Sequence, residues 1–139
     1  MPYKDIYEKF LEYFSIIPCL TTFQVPLNMI DDKFYKFQET ETVIKDLVNF
    51  GIPVTSNIDI SKLPASRMME YSQFSRIFKT QKTITPNDVM DILVSSIVPY
   101  VDAVITENFQ ADVYKKAKKL IPQIKDLEIY RLRDIRIKD

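Results

Sequence analysis

The chain has 139 residues, 19 basic and 19 acidic side chains and no formal net charge, with 46% apolar and 27% charged residues. This is the size and composition of one folded domain, and neither a disordered segment nor a collagen-like fibre fits it. With no histidine, one cysteine (Cys19) and one glycine (Gly51), the chain has no His-based triad or His-ligated zinc, no intrachain disulfide or Cys cluster, and no Gly-rich phosphate loop, so carboxylates are the main acid–base chemistry left.

Residues 3–17 carry Tyr3, Ile6, Tyr7, Phe10, Leu11, Phe14 and Ile17 at spacings of three and four, an amphipathic helix that Pro18 ends. This acidic stretch does not read as a secretory leader, no window approaches eighteen uncharged apolar residues, and the lone thiol fits a reducing, cytoplasmic compartment. After an irregular segment over 19–30, a second helix is predicted over 32–50, with Asp31 or Asp32 as its cap and Phe34, Phe37, Ile44, Leu47 and Val48 on one side. Gly51 stands where a left-handed residue closes a helix. Residues 52–60 read as a short extended stretch and loop.

Ser61 and Pro64 open a third helix, to about residue 79, with Met68, Tyr71, Phe74, Ile77 and Phe78 as its apolar face. A polar linker over 80–84 follows. The fourth helix starts at Thr85-Pro86-Asn87-Asp88, where Thr85 suits the N-cap, Pro86 the first helical position and Asp88 the acidic place of a capping box. Ala103-Val104-Ile105-Thr106 reads as a buried strand, residues 109–121 as a fifth helix with Val113, Tyr114, Ala117, Leu120 and Ile121 inward, and residues 127–132 as a final strand. The expected architecture is one α/β domain over 1–139: a helical front half (1–60), then a helix–strand–helix–strand half (61–139) with parallel strands and a crossover helix.

The fourth helix has Val89, Met90, Ile92, Leu93, Val94, Ile97 and Val98 around almost its whole circumference, which predicts burial. Asp88, Asp91 and Ser95 share one stripe. Carboxylates on a mostly buried helix are costly unless paired, hydrogen-bonded or bound to a metal, so the stripe faces water, a basic partner or a cation-holding cleft. Capping explains Asp88; for Asp91 a structural salt bridge and a site role stand side by side. Glu107 follows the strand end where ligands of open α/β sheets collect, whereas Asp102 precedes the strand and reads equally as a loop carboxylate.

The run Pro86-Asn87-Asp88-Val89-Met90-Asp91, then Val98-Pro99-Tyr100-Val101-Asp102-Ala103-Val104-Ile105-Thr106-Glu107, resembles the C-terminal half of PIN-like nuclease domains, one branch of which shows N-D-x-x-D, then P-Y-C-D and an apolar strand closing in T-E or T-D. Val101 stands at the cysteine position. Leu63-Pro64-Ala65-Ser66-Arg67 is similar to a proline–serine segment of that branch, and the resemblance spans roughly residues 63–132. It implies a helix-rich, three-layer α/β fold with a short parallel sheet and RNA cleavage with Mg²⁺ or Mn²⁺. Asp91 and Glu107 would be the catalytic acids, with Asp88, Asp91, Asp102 and Glu107 as metal positions. The family's first metal aspartate closes an N-terminal strand that is not found here, and its histidine after the second Asp is replaced by the neighbourhood of Val94 and Ser95. Glu39 or Glu41 on a front helix could stand in for the family's second ligand, or belong to a solvated face.

Charge is uneven: residues 1–60 hold five basic and nine acidic side chains, and residues 109–139 hold nine basic and five acidic. Lys115, Lys118 and Lys119, with Lys116, lie on the outer half of the fifth helix, either as an RNA contact or as a solvated face. Three readings follow. One is a divalent-metal-dependent ribonuclease or a truncated or inactive relative; another is a silent interaction module in which the same acids cap helices and pair with arginines. The third is an assembly protein whose Tyr and Phe residues build a homo-oligomer or protein interface.

Overall fold

The computed structural model describes residues 32–49, 51–54, 58–76 and 85–135. The predicted helix over 3–17, the segment 19–30 with Cys19, the end of the predicted third helix over 77–79 with Ile77 and Phe78, and the linker 80–84 lie outside the described residues. In chain order the elements are α1 (Asp32–Asn49), a 3₁₀ turn (Ile60–Lys62), α2 (Pro64–Phe74), α3 (Pro86–Ser95), a 3₁₀ turn (Val98–Tyr100), β1 (Ala103–Thr106), α4 (Asn108–Ala117), a 3₁₀ turn (Pro122–Ile124), β2 (Glu128–Arg131) and a last 3₁₀ turn (Leu132–Asp134). No helix among them is long and apolar enough to cross a membrane. The chain is thus helix-rich α/β, with β1 and β2 paired in parallel and α4 as the crossover.

Local chemistry sets the helix ends. Gly51 adopts φ +74° and donates to the Val48 carbonyl at 2.9 Å, while Ile52 donates to Leu47 at 3.0 Å, closing α1 as expected. Pro64 and Pro86 stand in the first turns of α2 and α3. Thr85 caps α3 reciprocally: the Asp88 amide donates to its Oγ1 at 3.3 Å, and its own amide donates to Asp88 Oδ2 at 2.8 Å. Thr85→Ala should therefore cost about 1 kcal/mol in urea denaturation, the usual worth of a lost N-cap; an unchanged midpoint would show that the box adds nothing.

Tyr35, Met68, Tyr71, Phe74, Val98, Val113, Tyr114, Ala117, Ile121, Ile124 and Leu127 form the core. The Tyr35 ring stands edge-on to Tyr71 at 5.2 Å and tilted against Phe74 at 4.9 Å, joining α1 to α2. Three expectations change. Among the described side chains of α1, Tyr35, Glu39 and Val43 are buried, Ile44 and Leu47 are half-buried and Val48 is exposed, while the side chains of Phe34 and Phe37 lie outside the description. Helix α3 is not buried all round: Val89, Ile92 and Ser95 face inward, but Met90 and Val94, and Ile97 in the turn that follows, are exposed, because α2 is its principal neighbour. Strand β1 is buried on one face only. Val104 and Ile129 pack on the core, while the paired Ile105 and Tyr130 are 59% and 47% exposed.

Candidate functional site

Asp88 and Asp91 lie one turn apart on α3, so their carboxylates share a face. Arg76, in the π-type turn that ends α2, reaches both. Its Nη1 pairs with Asp88 Oδ1, and its Nη2 donates to Asp91 Oδ2 at 2.9 Å. The guanidinium also donates to Gln110 Oε1, from Nη2 at 2.7 Å and Nε at 3.1 Å, and Gln110 Nε2 donates to Ser72 Oγ at 2.9 Å. Its Cζ sits 4.8 Å from the centre of the Phe109 ring, within cation–π range. Arg76 is only 10% exposed, so α2, α3 and α4 converge on one nearly buried charge.

The two aspartates respond differently. Burial pushes Asp88 up, but hydrogen bonds from the Thr85 amide and hydroxyl and the Arg76 charge outweigh it, holding its carboxyl below the ordinary value. Asp88 thus adds stability above the ordinary carboxylate range, which is lost as pH falls through its lowered folded value. Asp91 goes the other way. Burial raises it, Arg76 pulls it down, and the charges of Glu107 and Asp88 push it up again, leaving it above the ordinary value. Its contribution is fully present below the ordinary range and fades as pH rises through the folded value.

Glu107 sits between β1 and α4, exposed, without a side-chain bond to the helix start, and close enough for its charge to act on Asp91. Asp88 and Asp91 thus form an acidic corner closed by Arg76, and Glu107 lies within electrostatic reach of Asp91. Asp102 does not join them. It lies beyond the other end of four-residue β1, where its backbone carbonyl accepts from the Glu128 amide at 3.0 Å; a strand of that length puts the two acids on the order of 15 Å apart. Glu39 is buried against Arg67 and Glu41 pairs with Lys45 at 3.0 Å, so neither fills a place in the corner. Lys115, Lys118 and Lys119 lie toward the far end of α4, about 10–18 Å from Glu107 along the axis, where positive charge also suits the helix dipole. Ser95, the third member of the predicted stripe, is buried and donates to the Ile92 carbonyl at 2.5 Å.

A divalent ion needs several converging oxygen ligands. Among the described residues no three His, Cys, Asp or Glu side chains gather in that way, and Asp88 and Asp91 already spend oxygens on Arg76 and Thr85. The described residues do not fit a resident metal.

Arg76, Gln110 and Phe109 were absent from the sequence expectations. Gln110 left a legible signal: it is the polar member of the inward stripe that continues at Val113, Tyr114 and Ala117, a pattern that marks a buried hydrogen-bonded side chain. Arg76 left none, because its partners come from two other helices. Past the ends of both strands lies a cleft of about 350 Å³ lined by Glu107, Asn108, Phe109, Leu132 and Arg133. Compared with known proteins, the chain matches no family model, no curated protein and no solved structure.

Proposed function

We propose that this chain is a PIN-like domain that engages RNA without cutting it, an inactive relative of divalent-metal-dependent ribonucleases. The observation that carries this reading is the pairing of Arg76 with Asp88 and Asp91, the two acids that a PIN-like helix would turn toward a cation. The guanidinium neutralises them from inside the fold. Mg²⁺ or Mn²⁺, when bound in a nuclease, orients water and stabilises charge on the scissile phosphate; a nearly buried arginine already engaged by Asp88, Asp91, Gln110 and the Phe109 ring does neither. The order of Asp91, β1, Glu107, α4 and β2 supports the PIN-like assignment, and the exposed Lys115 and Lys119 supply charge for a phosphate backbone.

A second reading, an active ribonuclease with Asp91 and Glu107 as catalytic ligands, is favoured by one observation. After burial, like charge from Glu107 and Asp88 helps to raise Asp91, and a bound cation relieves such repulsion. Thermal unfolding of the full chain with and without Mg²⁺ or Mn²⁺, beside anisotropy and cleavage assays on labelled single-stranded RNA, separates the two. The non-cutting reading expects no metal-dependent rise in Tm, salt-sensitive RNA binding and intact RNA. A metal-dependent rise that Asp91→Asn abolishes, together with cleavage, replaces it with the enzyme. If neither RNA nor metal binds, both readings fall.

A further inference from the structure

The cleft beyond the strand tips is built differently from the acidic corner behind it. Glu107 and Asn108 lead into α4, Phe109 is in its first turn, and Leu132 and Arg133 follow β2. Phe109 is backed by the Arg76 guanidinium at 4.8 Å yet remains 39% exposed. The ring is therefore braced from inside the protein while part of it stays open to the cleft. Leu132, also exposed, supplies a second apolar wall. No hydrogen bond or ion pair among the described residues engages the side chains of Glu107 or Asn108. Arg133 has its sequence neighbour Asp134 at 3.7 Å, an exposed and adjacent pair that leaves the guanidinium able to meet an anion. Glu107 and Arg133 thus line one cleft without bridging it, so opposite charges lie at separate points around an aromatic ring.

A nucleotide has that distribution of chemistry: a flat π-face, hydroxyl and amine donors, and a phosphate. We propose that this cleft is a nucleotide subsite, in which the base stacks on Phe109, Glu107 accepts from ribose hydroxyls, Asn108 meets the base edge and Arg133 pairs with the phosphate. The volume of about 350 Å³ lies at the small end of ligand-sized pockets, which suits one nucleotide. The proposal deepens the RNA-binding reading and rests on it for the identity of the polymer; the cleft's own chemistry specifies the monomer.

Calorimetric titration of the full chain with adenosine 5′-monophosphate, adenosine and ribose 5-phosphate tests the subsite. Adenosine monophosphate should bind, and ribose 5-phosphate should bind at least about tenfold more weakly because it has no ring to stack. Phe109→Leu should weaken adenosine monophosphate by about tenfold or more, with Phe109→Tyr restoring it. Arg133→Gln should weaken adenosine monophosphate and leave adenosine unchanged. Equal binding of the two phosphates, unchanged affinity in Phe109→Leu, or no binding of adenosine monophosphate overturns the subsite. Single-stranded RNA measured in parallel keeps the two ideas apart. RNA bound equally by the parent and Phe109→Leu overturns the subsite and leaves the RNA reading in place; adenosine monophosphate bound without RNA sustains the subsite and overturns the RNA reading.

Discussion

Arg67→Leu is expected to destabilise the protein by about 3–5 kcal/mol, the cost of removing one partner from a buried ion pair. Arg67 Nε lies 2.5 Å from Glu39 Oε1, with the two side chains 13% and 4% exposed, and Arg67 Nη2 donates to the Leu120 carbonyl at 2.8 Å. One guanidinium thus joins α1, α2 and the chain after α4. Among the described residues the second Glu39 oxygen is buried with no hydrogen-bond partner, so without the arginine the carboxylate is stranded whole. Adding Glu39→Gln in the Arg67→Leu background should recover part of the loss, since a neutral amide is less costly to bury than an unpaired charge. Urea denaturation of the two single variants and the double variant measures the coupling. A loss below about 1 kcal/mol in Arg67→Leu, a value typical of an exposed pair, would show that this bridge does not hold the helices together.

Arg76→Leu should come next, at about 2–3 kcal/mol near neutral pH, below the figure for a fully buried pair because its acidic partners keep contact with water. Asp91 is 45% exposed and Asp88 is 26% exposed. The loss has a definite pH dependence. Arg76 acts to lower both aspartates, so in its absence both folded values rise. A raised carboxylate contributes stability in acid and loses it as pH climbs through the folded value. The gap between parent and variant is therefore widest near neutrality and closes as pH falls through the carboxylate range. A gap that stays constant with pH would assign the arginine's worth to its packing on Phe109 and its bonds to Gln110 instead. The variant also leaves Asp88, Asp91 and Glu107 without this counter-charge. It should gain a Tm rise with Mn²⁺ that the parent lacks, if the arginine substitutes for a cation at this corner. An identical metal response in both proteins would remove that substitution from the account.

The two arginines show how structure and candidate function share one device in this chain. Each holds helices together by engaging carboxylates that the backbone had already committed to its neighbourhood. At Arg67 the result is purely architectural, because Glu39 is sealed. At Arg76 the pairs stay partly open, with Asp91 and Asp88 both in contact with water. Phe109 links this corner to the cleft: its ring lies against Arg76 and also lines the space beside Glu107 and Arg133.

Much of the local structure was legible in the residues themselves. The Thr85–Asp88 box, the prolines that open α2 and α3, the left-handed Gly51 and the strand–helix–strand order from Ala103 onward depend on chemistry within a few residues. The burial of Glu39 on α1 was not legible, since that carboxylate becomes tolerable inside only when Arg67 arrives from another helix. Nor could the apolar circumference of α3 say which side would meet α2 and which would face outward. The partner of Asp88 and Asp91 was the largest omission. Twelve or more residues separate each from Arg76, and chain order carries no measure of that distance in space. The local backbone code thus determined where the helices start, where they stop and where the acids project; only the packing of α2, α3 and α4 decided that those acids would meet a guanidinium, because a buried charge finds its counter-charge through tertiary contact.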